Sequence, residues 1–236
     1  GTLYIVTEIG ESAFESCDDL TSVTIPYLVT SIGDFAFQYC PNLGSISIPS
    51  SVTSIGSYAF SSCFELSSVS IPNSVTSIGE YAFNSCSSLV SISIPNSVTS
   101  IESNTFSYCT SLNSVIIPNS VTSIGHYAFR DCSSLTSISI PNSVTIIENG
   151  AFAFCSSLNS VSIPNSVTII ENVAFAYCTS LTSFTCFISS PLSIDSDVFF
   201  QFNQSNCTLN VPSGSLSAYQ NAPVWQNFNP ILALPI

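Results

Sequence analysis

The amino-acid sequence predicts a mostly β repeat solenoid, built as a right-handed stack of coils with parallel β-sheet faces and short 3₁₀ or helical turns. Two observations lead to this fold class. Over residues 3–185 the 236-residue chain repeats every 23 residues without an insertion or a deletion, and each repeat carries apolar residues at the spacing of a short buried strand. One repeat cannot bury these residues alone, so repeats must stack, with equivalent residues about 4.8 Å apart. Strands joined in parallel by crossovers wind right-handed.

Cysteine and phenylalanine mark the repeat most clearly, because each recurs once per unit in constant register. The two columns are Cys17, Cys40, Cys63, Cys86, Cys109, Cys132, Cys155 and Cys178, and Phe14, Phe37, Phe60, Phe83, Phe106, Phe129, Phe152 and Phe175. The chain therefore divides into a solenoid at 1–185, with one partial and seven full repeats, and a second region at 186–236. We expect that region to hold a degenerate repeat and a C-terminal cap.

The first element of a repeat is a strand. Leu89, Ile92 and Ile94 have the spacing L-x-x-I-x-I, which indicates a short strand with one buried face. Pro95 ends it, because proline cannot donate a backbone hydrogen bond. An Asn-Ser dipeptide then turns the chain.

The second half of a repeat contains a shorter extended stretch and a tight turn. Val98 and Ile101 are the inward-facing residues of the extended stretch. The segment from Tyr81 through Cys86, in the preceding unit, fits one helical or 3₁₀ turn. Each repeat is therefore predicted to form one coil.

The repeat unit resembles a known family. The string IPNSVTSIGEYAFNSCSSL is similar to the BspA-like, or treponemal-type, leucine-rich repeat, and positions 3 to 185 match that pattern in every unit. The ending from Val211 through Trp225 resembles the cap that closes such arrays. Ser97 and its equivalents depart from the classical leucine-rich repeat, which has asparagine there. The resemblance implies a cell-surface or secreted protein used in adhesion or protein binding, without enzymatic activity.

The charge balance excludes two classes of partner. The chain has 14 acidic residues and a single basic one, Arg130, which gives a formal net charge of −13. Nucleic acids and anionic membranes bind proteins through lysine and arginine, so neither is an expected partner. The sequence has no apolar run of the roughly 20 residues that span a membrane, so membrane insertion is not expected either.

The cysteines are expected to be buried, reduced thiols. In one column their Cβ atoms stay about 4.8 Å apart, whereas a disulfide needs about 3.8 Å and converging side chains. A row of sulfurs does not converge on a tetrahedral zinc ion either. Cys186 and Cys207 lie outside the column, and a bridge between them stays open, although Cys207 falls four residues out of register.

Candidates for catalysis or metal binding are few. His126 is the only histidine, its column neighbours are Ser103 and Asn149, and no carboxylate is expected to orient its ring. Glu148 and Glu171 stack in adjacent coils but do not supply the about six to eight oxygens that calcium takes. The sequence therefore predicts no catalytic, cofactor-binding or metal-binding residue, and no enzyme.

Hydroxyl side chains occupy the outward positions of the first strand of each repeat. This candidate partner face consists of Ser45, Ser47, Ser68, Ser70, Ser91, Ser93, Ser114, Ser137, Ser139, Ser160 and Ser162. Serine could simply be the polar residue that the repeat uses on its surface. The functional interpretation is a face that binds protein, glycan or another copy of the chain. A threonine column from Thr30 to Thr168 adds ice binding as an outside alternative.

The two ends of the chain carry apolar residues that could mediate assembly. These candidate assembly residues are Leu3, Val6, Ile9, Phe14, Trp225, Ile231, Leu232, Leu234 and Ile236. One hypothesis is head-to-tail stacking of subunits into a filament. The rival interpretation is that the chain was cut from a longer surface protein.

These patterns together predict a non-catalytic, extracellular or cell-surface protein. Its expected role is structural or adhesive, with binding of protein or glycan partners through repeated surfaces. A self-assembling filament subunit is the alternative, and no cofactor is expected.

Overall fold

The computed structural model describes residues 5–235 and confirms the predicted fold class. The chain forms a parallel β-solenoid of about 10 turns. We number its regular coils 1 to 8 by the repeated phenylalanine that each contains, from Phe14 to Phe175. In chain order, each coil consists of a short strand, a turn and a longer strand.

The strands of the eight coils alternate between two sheet faces. They are β1 (Glu8–Ile9), β2 (Ser22–Thr24), β3 (Ser31–Ile32), β4 (Ser45–Ser47), β5 (Ser54–Ile55), β6 (Ser68–Ser70), β7 (Ser77–Ile78), β8 (Ser91–Ser93), β9 (Ser100–Ile101), β10 (Ser114–Ile116), β11 (Ser123–Ile124), β12 (Ser137–Ser139), β13 (Ile146–Ile147), β14 (Ser160–Ile163), β15 (Ile169–Ile170) and β16 (Ser183–Cys186). Odd-numbered strands form the short-strand face, and even-numbered strands form the long-strand face.

Strands on each face pair in parallel with a shift of one repeat. On the long-strand face Ser45 lies opposite Ser68 and Ile46 lies opposite Val69. On the short-strand face Ile32 lies opposite Ile55. Because the shift equals the sequence period, like residues meet in columns, apolar ones inward and hydroxyl ones outward.

The turns form a third ladder of backbone hydrogen bonds. The Phe37 N–H donates to the Ala59 carbonyl of the next coil at 2.8 Å, whereas the Ser61 N–H donates to Tyr58 in its own turn at 3.0 Å. Tyr58 has a φ of 58°. This left-handed conformation interrupts any regular helix, so the predicted helical turn is a series of tight turns. Short 3₁₀ helices occur in the C-terminal region.

Phenylalanine and cysteine columns fill the core as predicted. From Phe14 to Phe175 consecutive rings stack with centroids 5.1 to 5.6 Å apart. The Cys63 thiol donates to the Phe37 carbonyl at 3.2 Å, and the same contact recurs from coil to coil. All ten cysteines are free thiols, and nine of them are buried as expected, whereas Cys17 in the first coil is only half-buried. Burial raises the pKa of Cys63 to about 12.

The C-terminal region continues the long-strand face and then closes it. Its elements are 3₁₀ helices at Ser196–Phe199, Gln204–Asn206, Ser213–Ser215 and Trp225–Asn227, the helix α1 (Leu216–Asn221), and the strands β17 (Thr208–Val211) and β18 (Ile231–Ala233). β17 pairs with β16, and β18 pairs with β17. The register places Asn210 opposite Thr185, so Cys207 is out of line with Cys186, as expected.

An aromatic cluster holds this region together. Trp225 is fully buried and its indole N–H donates to the Leu192 carbonyl at 2.8 Å. The Tyr219 hydroxyl donates to the Ile188 carbonyl at 2.9 Å. The sequence interpretation had placed Trp225 among the assembly contacts, which is wrong because the ring lies inside the cap. Within residues 5–235 no helix is long and apolar enough to cross a membrane.

Candidate binding surfaces

The predicted partner face lies on the long-strand sheet. From Ser45 to Ser139 the predicted serines are exposed, while Ser160 and Ser162 are only half-buried. The intervening residues, such as Ile46 and Ile92, point inward and are buried. This face is therefore a set of hydroxyl columns on a parallel sheet.

The long-strand face is interrupted twice, between coils 3 and 4 (β6 and β8) and between coils 5 and 6. β10 and β12 are not hydrogen-bonded to each other, and the Ser143 hydroxyl is buried without a partner. In the coils on either side, Ser120 and Ser166 donate to valine carbonyls at 2.6 and 2.7 Å. A cavity of about 330 Å³ lies beside Ile116, whose side chain is 62% exposed. Serine or threonine occupies this position in the other regular coils, so the hydroxyl face carries one apolar site.

A groove runs along the short-strand face across coils 2 to 5. Its volume is about 490 Å³. Its lining combines a serine column, a glycine column and two carboxylates with neighbouring isoleucines and threonines. The serines, glycines and carboxylates are Ser31, Ser54, Ser77 and Ser100; Gly33, Gly56 and Gly79; and Asp34 and Glu102.

The glycine column allows the coils to approach each other closely. A Cβ atom on Gly56 or Gly79 would lie 2.5 Å from its nearest neighbour in the coil before, and one on Gly33 would lie 2.8 Å away. These positions therefore require glycine, because a side chain would collide with the preceding coil.

Between coils 4 and 5, the groove lacks the inter-coil backbone hydrogen bonds that join the other regular coils on this face. At the other regular steps the threonine N–H donates to the threonine of the preceding coil, as Thr76 does to Thr53 at 2.8 Å. Thr99 makes no such bond to Thr76, and the Glu102 N–H makes none to Ile78. β7 and β9 are likewise not hydrogen-bonded to each other. Glu102 stands where coils 1 to 4 have glycine.

Each carboxylate of the groove accepts a hydrogen bond from a serine residue. Asp34 Oδ1 accepts the Ser57 N–H at 2.7 Å. Glu102 Oε1 accepts the Ser100 hydroxyl at 2.5 Å. These bonds fix the two carboxylates at opposite ends of the groove, with serine hydroxyls between them.

His126 has a different environment from the one expected. Its Nε2 lies 3.4 Å from Glu148 Oε2, and its Nδ1 lies 3.8 Å from Glu171 Oε2. The expectation that no carboxylate would reach the ring is wrong, because these glutamates come from the next two coils and sit one position before the histidine column. Glu171 Oε2 also accepts the Asn149 N–H at 2.9 Å. The imidazole is about half exposed.

The single arginine packs against three aromatic rings, and 34% of its side chain is exposed. The guanidinium carbon of Arg130 lies 5.2 to 5.4 Å from the ring centroids of Tyr108, Tyr127 and Phe154. Its Nε lies 3.2 Å from Asp131 Oδ2. Contacts of this kind stabilise a cation by about 0.5–2 kcal/mol each. Arg130 therefore joins coils 5, 6 and 7 on the turn side.

No metal site emerges from the described part of the chain. No group of three or more histidine, cysteine, aspartate or glutamate side chains among residues 5–235 is arranged to hold a metal ion. The His126 cluster places one carboxylate at each ring nitrogen and so does not converge on a shared point.

The candidate assembly residues are scattered. Val6 is 53% exposed and lines a cavity of about 340 Å³ with Ile9 and Phe14. Leu232 is exposed on β18, while Ile231 and Leu234 are half-buried. Leu3 and Ile236 lie outside the described residues. Head-to-tail stacking stays a prediction.

The sequence interpretation missed the groove. Its signal was present in the glycine column, because that column runs through Gly10, Gly33, Gly56 and Gly79 and is interrupted at Glu102. Ile116 was a second available signal, since it is apolar at an outward position that is otherwise serine or threonine in the regular coils.

The chain is similar to a known repeat family. The family model described as the BspA type leucine rich repeat region matches in six copies, over residues 7–132 and 99–222. A leucine-rich repeat protein from Bacteroides ovatus is 33% identical, with a TM-score of 0.78, over 90% of this chain and 60% of its own. This chain thus spans less than two thirds of that protein. No curated protein matches the sequence.

Two further solved structures show the same repeat architecture. A leucine-rich repeat protein from T. pallidum is 35% identical, with a TM-score of 0.65, over 68% of this chain and 78% of its own. A leucine rich cell surface protein from Faecalibacterium prausnitzii is 27% identical, with a TM-score of 0.53, over 99% of this chain and 84% of its own.

Proposed function

Since the chain belongs to the BspA-type leucine-rich repeat family, we propose that it is a non-catalytic, extracellular or cell-surface protein with a structural or adhesive role. It binds protein or glycan partners through its repeated polar surface. The observation that carries this proposal is the long-strand face, where exposed serines repeat in register from coil to coil.

Three features support a binding role. The hydroxyl columns provide donors and acceptors about 4.8 Å apart wherever neighbouring strands are paired, so a partner can gain several equivalent contacts. Ile116 adds one exposed apolar contact on the same face, of the kind that interfaces bury at their centre. The similar Faecalibacterium protein is described as a cell surface protein, which supports the proposed location.

A binding assay with matched variants tests this proposal. The purified chain is presented to a panel of immobilised extracellular matrix proteins and to a panel of neutral and acidic glycans. The double variant Ser70→Tyr/Ser93→Tyr places bulky side chains at exposed positions of β6 and β8. We expect it to weaken the strongest interaction by about tenfold or more, because the added rings prevent close approach to the sheet.

The control is Ser156→Tyr, at an exposed position in a turn outside both sheets. It should leave binding unchanged, and both variants should unfold at the temperature of the unsubstituted chain. Absence of binding to either panel, or equal loss with the control variant, would show that the long-strand face is not the partner site.

A further inference from the structure

We propose that the groove on the short-strand face is a second binding site and that its ligand is a neutral oligosaccharide. The inference rests on the proposed binding role but concerns a different face. Four features of the groove carry it: its continuous hydroxyl lining, the backbone groups released between coils 4 and 5, the absence of basic groups, and its extended shape.

The lining presents hydrogen-bond donors and acceptors at close intervals. The serines at 31, 54, 77 and 100 recur along the groove, and each hydroxyl can both donate and accept. Sugar hydroxyls have the same dual capacity, so a saccharide can satisfy such a lining at each coil.

The missing pairing of β7 in coil 4 with β9 in coil 5, on the short-strand face, adds backbone groups to this lining. The N–H groups of Thr99 and Glu102 lack the inter-coil bonds that their equivalents make, and both residues line the groove with Thr76 and Ile78 opposite. Backbone N–H and C=O groups need hydrogen-bonding partners. A hydroxyl-rich ligand seated between the two coils supplies partners for them.

Charge determines which saccharides fit. The chain's only basic residue, Arg130, lies in coil 6 and packs against aromatic rings, so the groove has no cation to pair with a sulfate or carboxylate. Asp34 and Glu102 instead repel anionic ligands. These two carboxylates stand at opposite ends of the groove, with serines between them. A basic peptide is therefore disfavoured, because most of its charges would lie over uncharged lining.

The shape of the groove favours an extended ligand. It crosses four coils, which at about 4.8 Å per step gives a length of about 14 Å. Its three glycines contribute no side chains, which leaves room for a ligand along their backbone.

Titration calorimetry of the full chain with defined hexasaccharides tests the inference. The probes are cellohexaose, maltohexaose, mannohexaose and chitohexaose, with a heparin hexasaccharide and hexalysine as charged comparators. We expect at least one neutral probe to bind with a Kd below about 1 mM. The heparin probe should not bind, and hexalysine should bind more weakly than the best neutral probe.

Two groove variants and one matched control locate the binding. Ser54→Tyr fills the centre of the groove, and Glu102→Gln removes a carboxylate without changing the size of the side chain. Each should weaken the best neutral interaction, Ser54→Tyr by about tenfold or more. Ser123→Tyr places the same ring at the equivalent position of coil 6, outside the groove, and should leave the affinity within about twofold.

The outcomes separate this inference from the proposed function. No heat with any neutral probe at about 5 mM, preferential binding of heparin or hexalysine, or equal loss with Ser123→Tyr each overturns the groove assignment. The Ser70→Tyr/Ser93→Tyr variant should keep its hexasaccharide affinity. If oligosaccharide binding holds while the long-strand face binds nothing, the proposed function of that face fails alone.

Discussion

Raising the pH from about 8 to about 11 is expected to unfold the protein, because its buried thiols resist ionisation in the native state. Burial raises the pKa of Cys63, Cys109, Cys178 and Cys207 to about 12, whereas the unfolded chain releases these protons near the ordinary value of 9.0. Below pH 9 both states hold the protons, so stability is unaffected. Between pH 9 and 12 only the unfolded state loses them, and stability falls as the pH rises.

The expected effect is large enough to dominate other contributions. Each such thiol lowers the free energy of unfolding by about 1.4 kcal/mol per pH unit in this window. Four thiols over two units together remove free energy on the order of 10 kcal/mol, which is comparable to the whole stability of a typical domain at about 5–15 kcal/mol.

Urea denaturation in the presence of a reductant, repeated at intervals from pH 8 to 11, measures this dependence. The variant with Cys63, Cys109 and Cys178 changed to alanine serves as the comparison. Its free energy of unfolding should start lower but decline less steeply with pH, since fewer protons are released. A profile that is flat to pH 11, or the same slope in both proteins, contradicts the expectation.

Phe106→Ala is expected to destabilise the protein by about 3–5 kcal/mol. The Phe106 ring is fully buried, and it stacks on Phe83 and Phe129 with centroids 5.6 and 5.5 Å away. Its removal leaves a cavity in the middle of the phenylalanine column. Phe106 belongs to coil 5, which is already unpaired with coil 4 on the short-strand face and with coil 6 on the long-strand face.

Phe64→Ala is the control for this substitution, because the Phe64 ring is 43% exposed. It should cost about 1 kcal/mol or less. The midpoint and slope of urea unfolding at neutral pH give both values. Equal costs for the two variants would show that the stacked column does not carry the stability of the solenoid.

The fold could be predicted because the register never changes. Cys17 and Phe14 recur at intervals of 23 residues throughout the regular coils, so stacking places like residues together without any choice of alignment. The same regularity concealed the groove. A glycine column indicates close approach of coils, but where two neighbouring strands fail to pair depends on backbone distances that the sequence does not display.

The surroundings of His126 show a second limit of reasoning by columns. Comparison within its own column gave serine and asparagine neighbours, whereas the carboxylates that reach the ring belong to the adjacent column. Side chains as long as glutamate extend across one position, so contacts between columns require three-dimensional geometry. Trp225 was misplaced for a related reason, since its position near the C-terminus did not reveal that the cap encloses it.

The packing of Arg130 against aromatic rings has a consequence for proteolysis. Arg130 is the only lysine or arginine in the chain, so trypsin has a single peptide bond to cleave, between residues 130 and 131. That bond lies in the turn of coil 6, where the Arg130 carbonyl accepts the Tyr108 N–H at 2.7 Å. In the intact solenoid this hydrogen bond keeps the peptide bond from binding in the trypsin active site. Cleavage into two fragments therefore reports the local opening of coil 6.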